Sequence, residues 1–267
     1  MKEIHIRFLS GVLYVSLVLT AIFLSPYTFI GLYFLLGIIS IWEFQKLIHL
    51  KSYVNYAVFV LLLIAFHLFT IPIYVKLLIL IITITTQLFL LKDLVTIRII
   101  PMYEKRKYMT TIFFLITSFV FLSLLPFTGK DYDPILITGP LFLIWTNDSF
   151  AYLIGKNFGK RKLLERISPK KTIEGFLGGL FFSIIAGLII GLYSNSLTLW
   201  VWLIISIIMS IFGTLGDLIQ SKFKRQAGVK DSGTIMPGHG GIFDRLDSII
   251  FASPFLYVFL QILDYVS

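Results

Sequence analysis

The sequence predicts an all-α, polytopic membrane protein of about nine transmembrane helices, with a polar cavity facing the cytoplasm. Three observations predict it. Of 267 residues, 57% are hydrophobic and only 14% are charged, where a soluble domain carries about 25% charged residues. Apolar runs of about 18 or more residues recur along the whole chain. Lipid cannot satisfy irregular backbone, so such runs must be helical.

The first run, about 8–25, follows the basic start MKEIHIR with no A-x-A-like cleavage site after it. It is expected to be a retained helix rather than a removed signal peptide. Further spans are expected at about 28–48, 54–70, 71–91, 109–126, 134–154, 175–194, 197–217 and 248–265. Connections after spans one, three, five and seven are short, whereas those after two, four, six and eight are longer and basic. The 155–174 stretch holds seven Lys/Arg and 218–247 holds five. Of 23 Lys/Arg, all but Lys76 and Lys130 fall at the N-terminus or in or beside the even-numbered connections. By the positive-inside rule the N-terminus is cytoplasmic and, after nine spans, the C-terminus is outside.

The acids follow the same asymmetry. Glu43, Asp93, Glu104, Asp148, Glu165, Glu174, Asp217, Asp231, Asp244 and Asp247 map to the basic side, while Asp131, Asp133 and Asp264 map to the other. Residues 1–130 therefore read as an apolar scaffold, and 131–267 as the region that carries the chemistry. The chain has no cysteine, which excludes disulfides and thiolate metal sites.

Asp244 and Asp247 stand three apart where span nine begins, so on a helix they project together. Two carboxylates at that range repel unless a cation lies between them, and an oxygen-only set suits Mg²⁺. Acids in a first turn also favour the macrodipole without any metal. Asp217 ends span eight and Asp148 lies inside span six; ionisable groups at such depths are functional candidates by default. Asp148 could instead make a helix–helix polar contact through Asn147 or Ser149. No histidine joins them at zinc-ligand spacing.

The segment RISPKKTIEG reads as a helix start, with Ser168 as N-cap and Pro169 at the first helical position. Lys170 and Lys171 would then sit in a first turn where only an anion makes cations welcome. An ordinary positive-inside loop is the plainer reading of any single lysine there. Downstream, Lys222, Lys224, Arg225 and Lys230 precede a glycine-rich stretch with His239 and Arg245. Neither a Walker A nor a G-x-G-x-x-G pattern is present. Carboxylates, basic residues and flexible glycines together suit phosphoryl or nucleotidyl transfer, in which a protein mainly positions and neutralises phosphates.

Ser221-Lys-Phe-Lys224-Arg225, then Lys230-Asp231, Gly233 and Pro237-Gly-His239-Gly240-Gly241-Ile-Phe-Asp244-Arg245-Leu-Asp247 resembles the signature of the phosphatidate cytidylyltransferases. Met236 stands where that family has Leu, Ile or Phe, a volume-conserving swap. Asn147-Asp148 and Ser168 to Gly175 resemble further family elements, while the first half of the chain matches only in being hydrophobic.

The resemblance implies transfer of the cytidylyl group of CTP to phosphatidic acid at the bilayer of the cytoplasmic membrane, giving CDP-diacylglycerol and pyrophosphate. It implies Mg²⁺ held by Asp217 and Asp244 with Asp148 and Asp247 in support, and admits a second, monovalent cation. Ser168, Lys170, Lys171, Lys222, Lys224, Arg225, Lys230, His239 and Arg245 are the implied substrate-binding set, undivided between CTP and lipid. No nucleic-acid partner is implied, and a homodimer is compatible. An ion-coupled transporter is the competing reading, disfavoured because the acids cluster on one side instead of crossing the bilayer. Another CTP-dependent lipid enzyme, such as a polyprenol kinase, is the third.

Overall fold

The computed structural model describes residues 2–129 and 131–266. Lys130 and the side chain of Asp264, both assigned above to the outer side, lie outside the described residues. Helices run in chain order as α1 (Lys2–Leu24), α2 (Pro26–Leu47), α3 (Val54–Leu68), α4 (Ile73–Thr96), α5 (Glu104–Thr110), α6 (Thr117–Leu124), α7 (Ile135–Phe158), α8 (Ile173–Tyr193), α9 (Leu199–Gln226) and α10 (Phe243–Val266). A π-helical turn, Thr111–Ile116, joins α5 to α6, and a 3₁₀ turn, Leu125–Phe127, follows. The result is one rod over Glu104–Phe127 and nine rods in all among the described residues, as the apolar runs predict. The chain is a multi-pass membrane protein, with seven rods long and apolar enough to cross a bilayer.

Two of the nine expected spans fall short of that standard. Helix α3 has 15 residues, about 22 Å at 1.5 Å per residue, against a hydrocarbon core of about 30 Å. Helix α7 has the length, 24 residues, but places Asn147, Asp148 and Lys156 within it.

The packing follows the hydrophobicity. Past its charged first turn the rod Glu104–Phe127 is apolar on nearly every side, and 83% of its most hydrophobic window is buried, against 11% for α1 and 22% for α4 and α8. A helix without a polar face belongs at the centre of a bundle, and here it packs against α2, α3, α4 and α10. The outer helices expose Phe8, Leu61, Phe89, Phe181 and Trp200, the kind of surface that lipid covers. At the start of α2, Ser25 caps the helix, its hydroxyl accepting from Thr28 N at 3.1 Å, with Pro26 first in the helix.

The expected helix start at Ser168 is not observed. Ser168–Thr172 (β2) is a strand, paired antiparallel with Lys162–Leu164 (β1), Leu164 opposite Ser168 and Lys162 opposite Thr172. Helix α8 begins at Ile173, capped by Thr172, whose hydroxyl accepts from Gly175 N at 3.1 Å. The physical reason lies on both sides of the cap. Glu174 accepts from Lys160 N at 3.0 Å and Arg161 N at 3.1 Å, which folds the preceding chain back and extends residues 168–172. Pro169, lacking an N–H, is tolerated on such an edge strand.

Helices α7 and α8 pack along small residues. A Cβ at Gly179 would stand 2.6 Å from Asn147 O, and one at Gly175 2.6 Å from Ala151 O. This close approach fixes the turn of α7 that carries Asn147 and Asp148. Gly179→Val should therefore lower the stability of the detergent-solubilised protein by about 1–3 kcal/mol, the usual cost of overpacking. A thermal melt would register this; an unchanged midpoint would mean that the seam is loose.

Candidate functional site

The connections at the basic end of the bundle touch one another. Gln226 bonds Ile100 in both directions, at 3.0 and 2.6 Å, Lys107 Nζ donates to His49 O at 3.1 Å, and Ser10 Oγ donates to Pro237 O at 2.9 Å. Beneath them lies a cavity of about 670 Å³ lined by Asp148, Asp217, Asp244 and Asp247. Lys170, Lys171, Lys224 and Arg245 also line it. Three helices, α7, α9 and α10, thus deliver all four predicted aspartates to one space, and the β-hairpin adds Lys170 and Lys171.

Each carboxylate meets different partners. Asp217 forms an ion pair with Lys171 and accepts from Ser221 Oγ at 3.2 Å. Burial alone would lower the Lys171 pKa, but Asp217, Asp148 and Asp247 outweigh it and hold the ammonium above the usual lysine range. Asp244 is almost saturated. Its Oδ1 accepts from Lys224 Nζ at 2.7 Å and Gln220 Nε2 at 3.2 Å. Its Oδ2 accepts from Ser232 N at 2.8 Å and Gly241 N at 2.9 Å, and shares with Glu43 the one proton of Ser232 Oγ, 3.0 Å away. The Asp244 and Lys224 side chains are only 3% and 10% exposed. Asp247, 8% exposed, accepts from Ser248 N at 2.7 Å. Asp148 opens onto the cavity beside Asn147, whose Nδ2 donates to Thr214 Oγ1 at 3.4 Å and whose Oδ1 is buried without a partner.

The basic residues divide. Lys222 is buried and turned away, donating to Ile97 O at 2.7 Å at the end of α4, where a cation complements the helix dipole. Arg225 is exposed and bonds Val229 O at 3.0 Å. Neither lines the cavity, and nor does Ser168, held in β2. Lys222, Arg225 and Ser168, all expected in the substrate-binding set, thus stand outside the cavity lining. Lys230 and His239 line a second cleft of about 500 Å³ together with Arg7 and Arg245. Burial, then Arg245 and Arg7, push the His239 imidazole below its usual range.

Glu43 is the residue whose role the sequence does not disclose. It lies on α2, wholly buried, and accepts from Ile242 N at 3.1 Å, Phe243 N at 2.8 Å and Ser232 Oγ at 2.8 Å. An anion at two free N–H groups of a helix start is a favourable pairing. Glu43 thereby ties the scaffold to the start of α10 and, through Ser232, to Asp244. The only signal in the sequence is an acid inside an otherwise apolar span.

The donor set suits a hard divalent ion, being carboxylate oxygen only, with no thiolate or imidazole among the cavity-lining residues. Among the described residues, no three His, Asp or Glu side chains enclose an ion by themselves. Sites that use Mg²⁺ with nucleotides commonly supply one or two carboxylates and take the remaining ligands from phosphate and water.

A model of the family described as the cytidylyltransferase family matches residues 5–263. Curated relatives named phosphatidate cytidylyltransferase include one from Staphylococcus saprophyticus, 52% identical over 119 residues, 44% of this chain and 46% of the relative. Relatives from Staphylococcus aureus and Staphylococcus epidermidis are 52% and 49% identical over the same shares. The match spans about half the length of these relatives, 46% in each case.

Glu43→Gln replaces one acceptor oxygen by an amide that faces donors. A buried donor left unsatisfied costs about 1–3 kcal/mol, so backbone hydrogen exchange over residues 231–243 should quicken by about tenfold or more. Exchange in the rod Glu104–Phe127 should stay unchanged. Equal protection of 231–243 in both proteins would remove Glu43 from this role.

Proposed function

The chain belongs to the cytidylyltransferase family, and from that premise we propose that it is a phosphatidate cytidylyltransferase. It joins CTP and phosphatidic acid to give CDP-diacylglycerol and pyrophosphate. The observation that carries this reading is the joint lining of one cavity by four aspartates, Lys170, Lys171, Lys224 and Arg245. Its volume, about 670 Å³, falls in the range of about 300–1,000 Å³ typical of small-molecule sites. The name of the curated relatives supplies the substrate.

The chemistry requires two polyanions to meet. An oxygen of the lipid phosphate attacks the α-phosphorus of CTP, the bond from that phosphorus to the bridging oxygen of the β-phosphate breaks, and pyrophosphate leaves. A phosphate monoester has its second pKa near 6, so the nucleophile is already largely dianionic at pH 7 and requires no general base. What remains for the protein is positioning and charge neutralisation. Lys171 and Lys224 stand at the cavity wall, each paired to a carboxylate. Asp217 and Asp244, with Asp148 and Asp247, would hold Mg²⁺. When bound, the ion neutralises phosphate oxygens and balances the carboxylates. The lysines are then available to the triphosphate and to the pyrophosphate as it departs.

On this reading the site faces the cytoplasm, with the N-terminus inside, the C-terminus outside and CTP arriving from the cytosol; the basic connections support it through the positive-inside rule. Phosphatidate reaches the same level through the bilayer.

Purified protein incubated with labelled CTP, phosphatidate and Mg²⁺ should form labelled CDP-diacylglycerol and release pyrophosphate in equal amounts. Chelation of Mg²⁺ should abolish the reaction, and Lys171→Gln should slow it by about 10²–10³-fold, the loss expected for one preorganised donor. Folded protein that forms no CDP-diacylglycerol would overturn the proposal; formation of CDP instead of pyrophosphate would indicate a kinase.

A further inference from the structure

The second cleft lies between α1 and the loop 230–241, and Arg7, Lys230 and Arg245 line it, outnumbering the one carboxylate there, Asp231. Among the described residues none of these three cations forms an ion pair with a carboxylate. The loop is bound to α1 on that side, since Ser10 Oγ lies 2.8 Å from His239 Nδ1 and donates to Pro237 O at 2.9 Å. Gly238 and Gly240 have φ of 76° and 87°, the left-handed region that glycine adopts freely. The Arg7 side chain packs against this turn, since a Cβ at Gly238 would stand 2.6 Å from Arg7 Cγ.

A smaller space of about 220 Å³ adjoins this cleft, walled by Gly11, Tyr14 and Val15 of α1 and by Ile144 and Trp145 of α7. The end of α1 nearest the loop has no buried side chain from His5 to Leu17; Val18 and Ile22 are its first buried residues. Between its contacts with the loop at Ser10 and its buried residues Val18 and Ile22, helix α1 leaves a crevice beside α7. Phe8, Leu9, Leu13 and Phe142 are exposed on the same two helices, so the crevice borders surface that lipid covers. Tyr14 Oη is buried and has no hydrogen-bond partner, and a buried unpaired hydroxyl calls for an acceptor. Asp148, Asp244, Arg245 and Asp247 line both the crevice and the main cavity, and Arg245 lines all three spaces.

We infer that this cleft seats the phosphate of the lipid substrate, with Arg7, Lys230 and Arg245 as its cations, and that the α1–α7 crevice admits the acyl chains. The inference rests on the function proposed above and divides the basic residues between the two substrates. Lys170, Lys171 and Lys224 face the nucleotide, Arg7 and Lys230 face the lipid phosphate, and Arg245 stands between them. Arg7 lies outside the motifs that suggested the function, on a helix that the motifs do not include. Its guanidinium offers a phosphate the fork of donors that such groups prefer. Tyr14 supplies a donor to a glycerol ester or phosphate oxygen on the way in.

The test uses the full chain in mixed micelles, with Arg7→Gln and Gly11→Leu as variants. A Cβ at Gly11 would stand 3.4 Å from His239 Cε1, so a leucine there narrows the crevice. Both variants should raise the KM for phosphatidate by about tenfold and leave the KM for CTP within about twofold. Lys171→Gln should do the reverse. A rise in the KM for CTP, an equal rise in both constants, or no change in either would overturn the inference. Equilibrium binding of water-soluble dihexanoyl phosphatidate to the solubilised protein decides the matter independently of turnover. Weaker binding by Arg7→Gln supports the site even if the wild type makes no CDP-diacylglycerol, in which case only the proposed activity falls. Equal binding by wild type and variant overturns the site, as does inorganic phosphate competing as well as the lipid.

Discussion

The Asp244 carboxylate cannot lie buried without compensation, and the architecture of the basic end follows from how it is compensated. One oxygen is held by Lys224 and Gln220 of α9, the other by Ser232 and Gly241 of the glycine-rich loop. Because Asp244 itself sits in the first turn of α10, a single side chain joins two helices and the loop between them. Glu43 extends the junction to α2 through Ser232 and the first amides of α10. Removing one partner of a buried pair commonly costs about 3–5 kcal/mol, far more than the pair contributes over an apolar substitute. The arrangement is accordingly one of specificity, fixing where the loop lies.

The same electrostatic requirement shapes the cavity. Acids at the membrane edge repel one another, and Lys171 and Lys224 balance two of them from a strand and from the end of α9. A cavity in which carboxylates and ammonium groups already offset each other is suited to a substrate that brings its own cation and its own negative charge. Neutralisation can pass between protein, ion and phosphate with little net charge buried at any stage. The small-residue seam between α7 and α8 contributes by bringing Asn147 and Asp148 against the hairpin end of α8.

The helices were legible because the bilayer allows few alternatives: apolar runs of sufficient length must be helical, and their number and order follow from composition. The aspartates were legible for a related reason, since an acid at membrane depth is too costly to be incidental. The hairpin was not. Ser-Pro-Lys-Lys carries a helix-start pattern, and only the tertiary reach of Glu174 to residues 160 and 161 extends it. Lys222 shares a motif with Lys224, yet two residues of helix turn point it to the end of α4 instead. Glu43 and Arg7 were illegible in another sense. Their partners lie some 190 and 230 residues away in sequence, and nothing local records those contacts.

The most direct measurement of the central claim is a double-mutant cycle between Lys224→Met and Asp244→Asn, read by thermal unfolding and by hydrogen exchange at residues 231–243. If the pair is the junction described, each single variant strands its partner's buried group, and the double variant is no less stable than the worse of the two. Strictly additive losses would mean that the two side chains act independently, and would contradict the account.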